Sequence, residues 1–440
     1  MLPVGITSFR LQSVGRPLSC ESTRWKCNPI RREEQRHSAR GKTSMILIPS
    51  LLLAFAVLQT PTHSKLNELV ESLRVTHAPD QRIQWWDVHV EKGESGWRVH
   101  GSLSSEETYA AAKQAFEQHP EVDNQLVLLP EDGTGTLVNA LVNNSVIHLR
   151  REPSSKTELV TQALLGTPIR VLKTERGKCL IQVPDGYIGW VNSAEVHRVD
   201  QEQLKSYRDA EKVIFTAQSG LAYSSPDVTS MPMSDLVIGN MVCKVSEQSG
   251  YTQIQYPDGR IGWVDSGKLC PADAVFFQKA LQNNLVETAR KFHGIPYLWG
   301  GMSSKNIDCS GLICNVYFMN GIQLPRDSNM QSQIGREVTT EFVSDDLEPG
   351  DLLFFGRKAT SESKERVTHV AMYIGNDEFI HSAGYRERVS INSMDSSQPN
   401  FIDSYPAIFV RAVRIIGEDP NGFRPIPEND FYNAIIRSTE

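Results

Sequence analysis

Residues 294–313 read Gly294-Ile-Pro-Tyr-Leu-Trp-Gly-Gly-Met-Ser-Ser-Lys-Asn-Ile-Asp-Cys-Ser-Gly-Leu-Ile313, and the chain is organised around Cys309 within them. A Gly- and Pro-rich run precedes Cys309, Asp308 and Ser310 flank it, and Leu312, Ile313, Val316 and Tyr317 follow at helical spacing. The pattern predicts an irregular loop that delivers a cysteine to the first turn of a buried helix. A helix N-terminus carries about half a positive charge and unpaired N–H groups, so it favours a thiolate, the nucleophilic form. Most free cysteines are small buried hydrophobes. Cys309 therefore needs a base, and the base an orienting group, before this stretch becomes a catalytic site.

Two histidines downstream supply candidates. His369 begins the alternating run Val367-Thr-His-Val-Ala-Met-Tyr-Ile-Gly375, and His381 lies in Glu378-Phe-Ile-His-Ser382. The turn Gly375-Asn-Asp377 makes the two runs partners in a hairpin, which brings the imidazoles near each other at one end of a sheet. Cys314, five residues past Cys309, faces another side of the helix and reads as core.

Upstream, an internal repeat marks two further units. Pro184-Asp-Gly-Tyr-Ile-Gly-Trp-Val-Asn-Ser193 returns as Pro257-Asp-Gly-Arg-Ile-Gly-Trp-Val-Asp-Ser266, identical at eight of ten positions. Asp-Gly signals a tight turn and Ile-Gly-Trp-Val a strand, and each copy closes a series of short alternating strands. Two small β-barrels follow, residues 137–200 and 210–272, joined by a polar helix over 200–212. A helix over 274–293 leads from the second barrel into the Cys309 segment. Residues 65–132 show the order α-β-β-α-β, with helical spacing over Leu66–Val75 and good capping chemistry at Ser104-Ser-Glu-Glu. No chemistry is evident there. Residues 131–136 form a linker by composition.

Residues 1–64 read as a presequence. Basic residues are scattered through 1–44, and an apolar run from Ile46 to Leu58 is too short to span a bilayer comfortably. Cleavage near Ser64 and export to the periplasm or the exterior are expected, with no stable membrane insertion afterwards. The net charge of -7 and the lack of a basic face argue against nucleic acid as a partner. None of the seven cysteines forms a CxxC pair, so no zinc ribbon is indicated. With Cys20 and Cys27 in the presequence, the remaining five are an odd set, so at least one thiol is free. No metal or organic cofactor is implied.

Several motifs, in order, resemble the NlpC-type papain-like cysteine peptidases of bacterial cell walls. They are Tyr297-x-Trp-Gly-Gly301, Asp308-Cys-Ser-Gly311, Leu324-Pro-Arg-Asp-Ser328, Leu347-x-Pro-Gly-Asp-Leu-Leu-Phe-Phe355, Thr368-His-Val-Ala-Met-Tyr-Ile-Gly375 and Phe379-Ile-His381. The resemblance spans residues 283–416 and leaves 417–440 as a charged tail. The repeats resemble bacterial SH3-like domains, and residues 65–132 resemble the BON domain in pattern. The arrangement is similar to the YkfC-like γ-D-glutamyl-L-diamino acid endopeptidases. It implies an α+β multidomain fold: a small αββαβ domain, two SH3-like barrels and a papain-like peptidase domain, expected as a monomer.

The resemblance also implies roles. Cys309 would be the nucleophile, His369 the general base and acid, and His381 the group that orients His369. Tyr297 and the Cys309 N–H would hold the oxyanion. Asp308 would meet the free amine of an L-Ala-γ-D-Glu-diamino acid peptide, with Tyr187 and a glutamate of the first barrel. Glu158 is the choice for that glutamate, and Glu152 competes with it. Arg260 replaces Tyr187 in the second repeat and would repel an ammonium, so only the first barrel suits this task. Ser310 and Ser328 would bind the D-Glu carboxylate, and Trp299 and Asp327 would line the pocket. The expected reaction is cleavage of the γ-D-Glu bond in murein peptides with a free N-terminal L-Ala. The alternatives are a hydrolase of the intact wall, with the barrels as wall binders, and a wall-peptide binding protein without catalysis.

Overall fold

The repeat dictates most of the architecture. In the computed structural model, which describes residues 62–93, 96–131 and 138–436, each copy of Asp-Gly-x-Ile-Gly-Trp-Val ends in a strand, Ile188–Asn192 and Ile261–Asp265. Each strand lies inside its own seven-stranded sheet. The barrels have separate apolar interiors, one around Ile147, Leu149, Val171 and Ile181, the other around Phe215, Leu236, Ile254 and Val264. A helix, Gln201–Asp209, joins them, capped by Asp200, whose side chain accepts from the Gln203 N–H. Residues 1–61 of the expected presequence and the 132–136 part of the linker lie outside the described residues, while His63 and Ser64, its expected end, already belong to the first helix, His63–His77.

The N-terminal unit follows the predicted order: helix His63–His77, strands Trp86–Lys92 and Trp97–Leu103, helix Glu106–Glu117 and strand Val122–Leu128. The first two strands are antiparallel, and the third runs parallel to the second. Ser105 caps the second helix by accepting from the Thr108 N–H, as its sequence suggested. Leu66, Val99, Leu103, Ala112 and Phe116 close this small core.

The C-terminal domain packs helix Cys309–Phe318 against a six-stranded antiparallel sheet. Leu312, Ile313, Val316 and Tyr317 are buried against Phe354, Val370 and Met372, so the helix is covered nearly all round. The sheet order is Arg336–Thr339, Phe409–Arg414, Leu352–Arg357, Arg366–Gly375, Glu378–Ala383 and Arg388–Ser393. Asn376 and Asp377 both take left-handed φ of 56°, the conformation of a tight hairpin turn.

Two expectations are corrected. The helix predicted over 274–293 is broken into Ala272–Phe276 and Gln282–Arg290. The stretch after 416 is not a peripheral tail, because Phe423, Ile426, Phe431, Tyr432, Ile435 and Ile436 sit in the main core beside Phe276. Charged residues between those apolar ones hid their spacing. Among the described residues no helix is long and apolar enough to cross a membrane.

Candidate active site

Cys309 is the first residue of its helix, and Asp308 caps it, accepting from the Gly311 N–H at 2.7 Å. The preceding loop makes that possible. Gly300 adopts φ +77° and donates its N–H to the second Asp308 oxygen at 2.8 Å. A side chain at Gly300 would meet the Leu159 carbonyl of the first barrel at 2.7 Å, so only glycine allows this approach.

Arg326 completes the support. It is buried to 1% exposure, and all five of its N–H groups find acceptors. Nε donates to Thr161 Oγ1 at 2.7 Å, Nη1 to Asp308 Oδ1 and Ser310 Oγ, and Nη2 to Asp308 Oδ2 at 2.6 Å and the Gly301 carbonyl. This places Asp308 and Ser310 differently from the expectation. Both Asp308 oxygens are engaged in the cap and the ion pair, and the Ser310 hydroxyl donates to Asp308. They build the floor of the site and hold its geometry, leaving neither an unshared carboxylate nor a free hydroxyl for substrate. Ser328 is buried too, but its hydroxyl has no partner among the described residues.

Cys309 opens into a cleft of about 750 Å³. The cleft is lined by Tyr297, Trp299, Asp308, Ser310, Asp327 and Ser328 from the peptidase domain, by Arg151, Glu158, Val160 and Tyr187 from the first barrel, and by Arg82 from the N-terminal domain. Glu158 accepts from Arg151 and, at 3.2 Å, from the Trp299 indole, which is otherwise 64% exposed. Tyr187 lies 3.4 Å from Asp327. Glu152 is not brought to this cleft; it lines a separate depression with His148, Lys178 and Trp190. Arg82 was invisible to sequence reasoning, because nothing in residues 65–132 signals a contact 245 residues away.

The hairpin joins the two histidines as its turn predicted. His369 Nε2 lies 2.8 Å from His381 Nδ1, and His381 Nε2 lies 3.0 Å from Asn392 Oδ1. Asn392 Nδ2 donates to the Asn400 carbonyl, which fixes the amide so that its oxygen faces His381. His381 then carries its proton on Nε2 and accepts at Nδ1. His369 donates from Nε2, and its Nδ1 is left as an acceptor, the form a general base requires. The Tyr405 hydroxyl also approaches His381 Nδ1, at 3.2 Å. Asn392 and Tyr405 are members of the site that the sequence did not reveal. Beside His369 on the same strand, the Val370 N–H donates to the Cys309 sulfur.

Burial decides the charge states. It pushes the Cys309 thiol up to about 12, and the Asp308 carboxylate adds to the effect. The N–H groups of Val370 and Ser310 and the Arg326 charge only partly offset this. The helix terminus therefore does not yield a resting thiolate as expected, because desolvation outweighs it. Burial and the neighbouring His381 lower His369 well below its usual range, and burial lowers His381 to about 4. Both are neutral at pH 7. Burial and Cys309 raise the Tyr297 phenol, keeping it a donor. Among the described residues no group of three or more His, Cys, Asp or Glu side chains is placed to hold a metal ion.

A stability trend follows. An unfolded histidine takes a proton near pH 6.5, whereas His381 in the fold resists until about 4 and His369 until well below 6.5. The unfolded chain thus binds more protons, and stability falls as pH drops from 6.5 toward 4. Asp185 opposes this, since burial raises its carboxyl to about 6 and makes the protonated form the favoured one in the fold. Two histidines outweigh one aspartate, so melting temperature is expected to drop by several degrees between pH 7 and 4.5. In Asp185→Asn the drop is steeper. A protein that gains stability on acidification would contradict these burial assignments.

Residues 294–402 match the NlpC/P60 family, and residues 149–196 match the bacterial dipeptidyl-peptidase SH3 domain. A γ-D-glutamyl-L-lysine dipeptidyl-peptidase of Bacillus cereus is 28% identical over 266 residues, covering 57% of this chain and 75% of the relative. The Escherichia coli protein named probable endopeptidase NlpC is 36% identical over 120 residues, covering 27% of this chain and 72% of the relative. A crystal structure of an NlpC/P60 family protein from Bacillus cereus superposes with a TM-score of 0.54 at 23% identity, over 63% of this chain and 99% of the other, and shows the shared fold. Residues 62–131 lie outside both family matches.

Proposed function

The chain belongs to the NlpC/P60 family of cysteine peptidases, and we propose that it hydrolyses the γ-D-glutamyl bond to a diamino acid in murein peptides with a free N-terminal L-Ala. One observation carries the substrate choice: the first barrel contributes Glu158, Val160 and Tyr187 to the lining of the Cys309 cleft. On this reading the barrel bounds one end of the groove, which then admits a chain terminus rather than a continuing polymer. The carboxylates and phenol gathered there suit an ammonium.

The reaction proceeds in two steps. As the Cys309 sulfur attacks the γ-carbonyl of D-Glu, the thiol proton passes to His369 Nδ1. The oxyanion sits between the Tyr297 hydroxyl and the Cys309 N–H, which has no intrahelical acceptor. His369 returns the proton to the leaving amine, and a thioester of L-Ala-γ-D-Glu remains on sulfur. Water, deprotonated by His369, then attacks the thioester, and the free γ-carboxyl and the thiol are regenerated. Because cysteine and histidine both rest neutral, proton transfer accompanies attack rather than preceding it. The apolar run Ile46–Leu58 supports placing this activity outside the cytoplasm.

The test compares L-Ala-γ-D-Glu-diaminopimelate with its N-acetylated form. The free amine is expected to be cleaved with kcat/KM at least about a hundredfold higher, the worth of a buried ammonium–carboxylate contact. Equal cleavage of both peptides would overturn the free-terminus reading in favour of an enzyme of the intact wall.

A further inference from the structure

The segment between the first helix and first strand of the N-terminal domain ends at the catalytic cleft. The Ile188 N–H of the first barrel donates to the Arg82 carbonyl at 2.8 Å. Trp85 stands edge-on to Trp190, ring centroids 6.2 Å apart. Asp80 grips the Arg82 guanidinium at Nε and Nη2, at 2.8 and 2.6 Å, and leaves Nη1 directed at the peptidase domain. Nη1 donates to Asp327 Oδ2 at 2.7 Å and to Asn329 Oδ1 at 2.9 Å. Three domains meet at this one residue, its carbonyl on the first barrel and its guanidinium on the peptidase domain, and it lines the cleft.

Four carboxylates line the cleft, and they are not equally available. Asp308 is held by Arg326 and two backbone N–H groups. Glu158 has one oxygen on Arg151 and the other on Trp299, and Glu365 is paired with Arg411. Asp327 and Glu365 each keep one oxygen without a partner among the described residues, Oδ1 and Oε1, but only Asp327 is held from outside the peptidase domain, its Oδ2 accepting from Arg82 of the N-terminal domain and Tyr187 of the first barrel. One positive and two negative charges in Arg82, Asp80 and Asp327 leave a net of −1, so the cluster attracts a cation.

We propose that Arg82 is a substrate-positioning residue supplied by the N-terminal domain: by holding one oxygen of Asp327 it presents the other to the ammonium of the incoming peptide. The inference rests on the free-terminus reading above. It gives the N-terminal domain a part in selecting substrate. A carboxylate already fixed by a guanidinium loses little freedom on meeting its ligand, whereas an unanchored one must be ordered at that moment.

The experiment measures kcat and KM of the full chain for L-Ala-γ-D-Glu-diaminopimelate and for its N-acetyl form. Arg82→Ala is expected to raise KM for the free-amine peptide about tenfold, to change kcat less than twofold, and to shrink the preference over the acetylated peptide by a similar factor. Arg82→Lys, which keeps the charge, should recover part of the loss, and Asp80→Asn should reproduce it more weakly. A purely structural role would lower kcat and kcat/KM together and leave the preference unchanged, and that result would overturn the proposal. So would an unaltered KM. Should Arg82→Ala fail to fold, Arg82→Lys and Asp80→Asn carry the same comparison. If the wild-type chain cleaves neither peptide, the functional reading itself fails; if it cleaves with selectivity that Arg82→Ala leaves intact, only this inference does.

Discussion

Replacing Arg326 with methionine is expected to cost about 3–5 kcal/mol of folding stability, because it leaves the Asp308 carboxylate buried without its counter-charge. The same change takes away a donor from Thr161 Oγ1 and from the Gly301 carbonyl, leaving them the Gln162 carbonyl and the Asp308 N–H as partners, so the tie between first barrel and peptidase loosens as well. A buried ion pair is weak evidence for net stability, and the informative measurement is a cycle rather than a single variant. Arg326→Met combined with Asp308→Asn should lose less than Arg326→Met alone, since the asparagine removes the charge and keeps an acceptor for the Gly311 N–H. Denaturant midpoints of the four proteins give the coupling. A loss below about 1 kcal/mol in the single variant would mean that water reaches Asp308 and that the site floor is not dry.

The second large effect is on turnover. Cys309→Ala should lower kcat by about four orders of magnitude or more, because no thioester can form and only positioning remains. Binding should survive, since Asp327, Tyr187 and Ser328 are untouched. Isothermal titration with L-Ala-γ-D-Glu-diaminopimelate would show it. Turnover persisting in the alanine protein would remove Cys309 from the mechanism. Loss of binding together with turnover would instead point to collapse of the Asp308–Gly311 cap.

The sequence showed the parts of this site that lie close together in the chain. Cys309 was legible because a loop and an apolar helix meet at it, and the histidine pair because a left-handed turn sits twelve residues or fewer from both. The barrels were legible because their turn chemistry is repeated. What stayed hidden depends on chain crossings that no local pattern encodes. Arg326 lay in full view between Pro325 and Asp327, yet its five acceptors come from two other segments, Thr161 of the first barrel and residues 301–310. The role of Asp308 at the substrate amine came from the family resemblance; its second task, holding Arg326 and capping the helix, shows only in the packed structure. Asn392 sits one strand beyond His381, with its amide turned by Asn400. Arg82 required a whole domain to dock. Burial was the other blind spot, because the helix terminus argued for an anion at Cys309 and only the packed structure showed desolvation prevailing.

The histidine relay ends in an amide, and that ending bears on chemical durability. Asn392 fixes a tautomer but brings no negative charge to stabilise an imidazolium, so the site stores no cysteine–histidine zwitterion between turnovers. Peroxides and electrophiles react with thiolates far faster than with thiols. A nucleophile kept protonated until it attacks the peptide carbonyl is slow to become sulfenic acid and slow to alkylate. The enzyme's resting form is thereby suited to an oxidising surrounding in which a permanently ionised cysteine would be consumed.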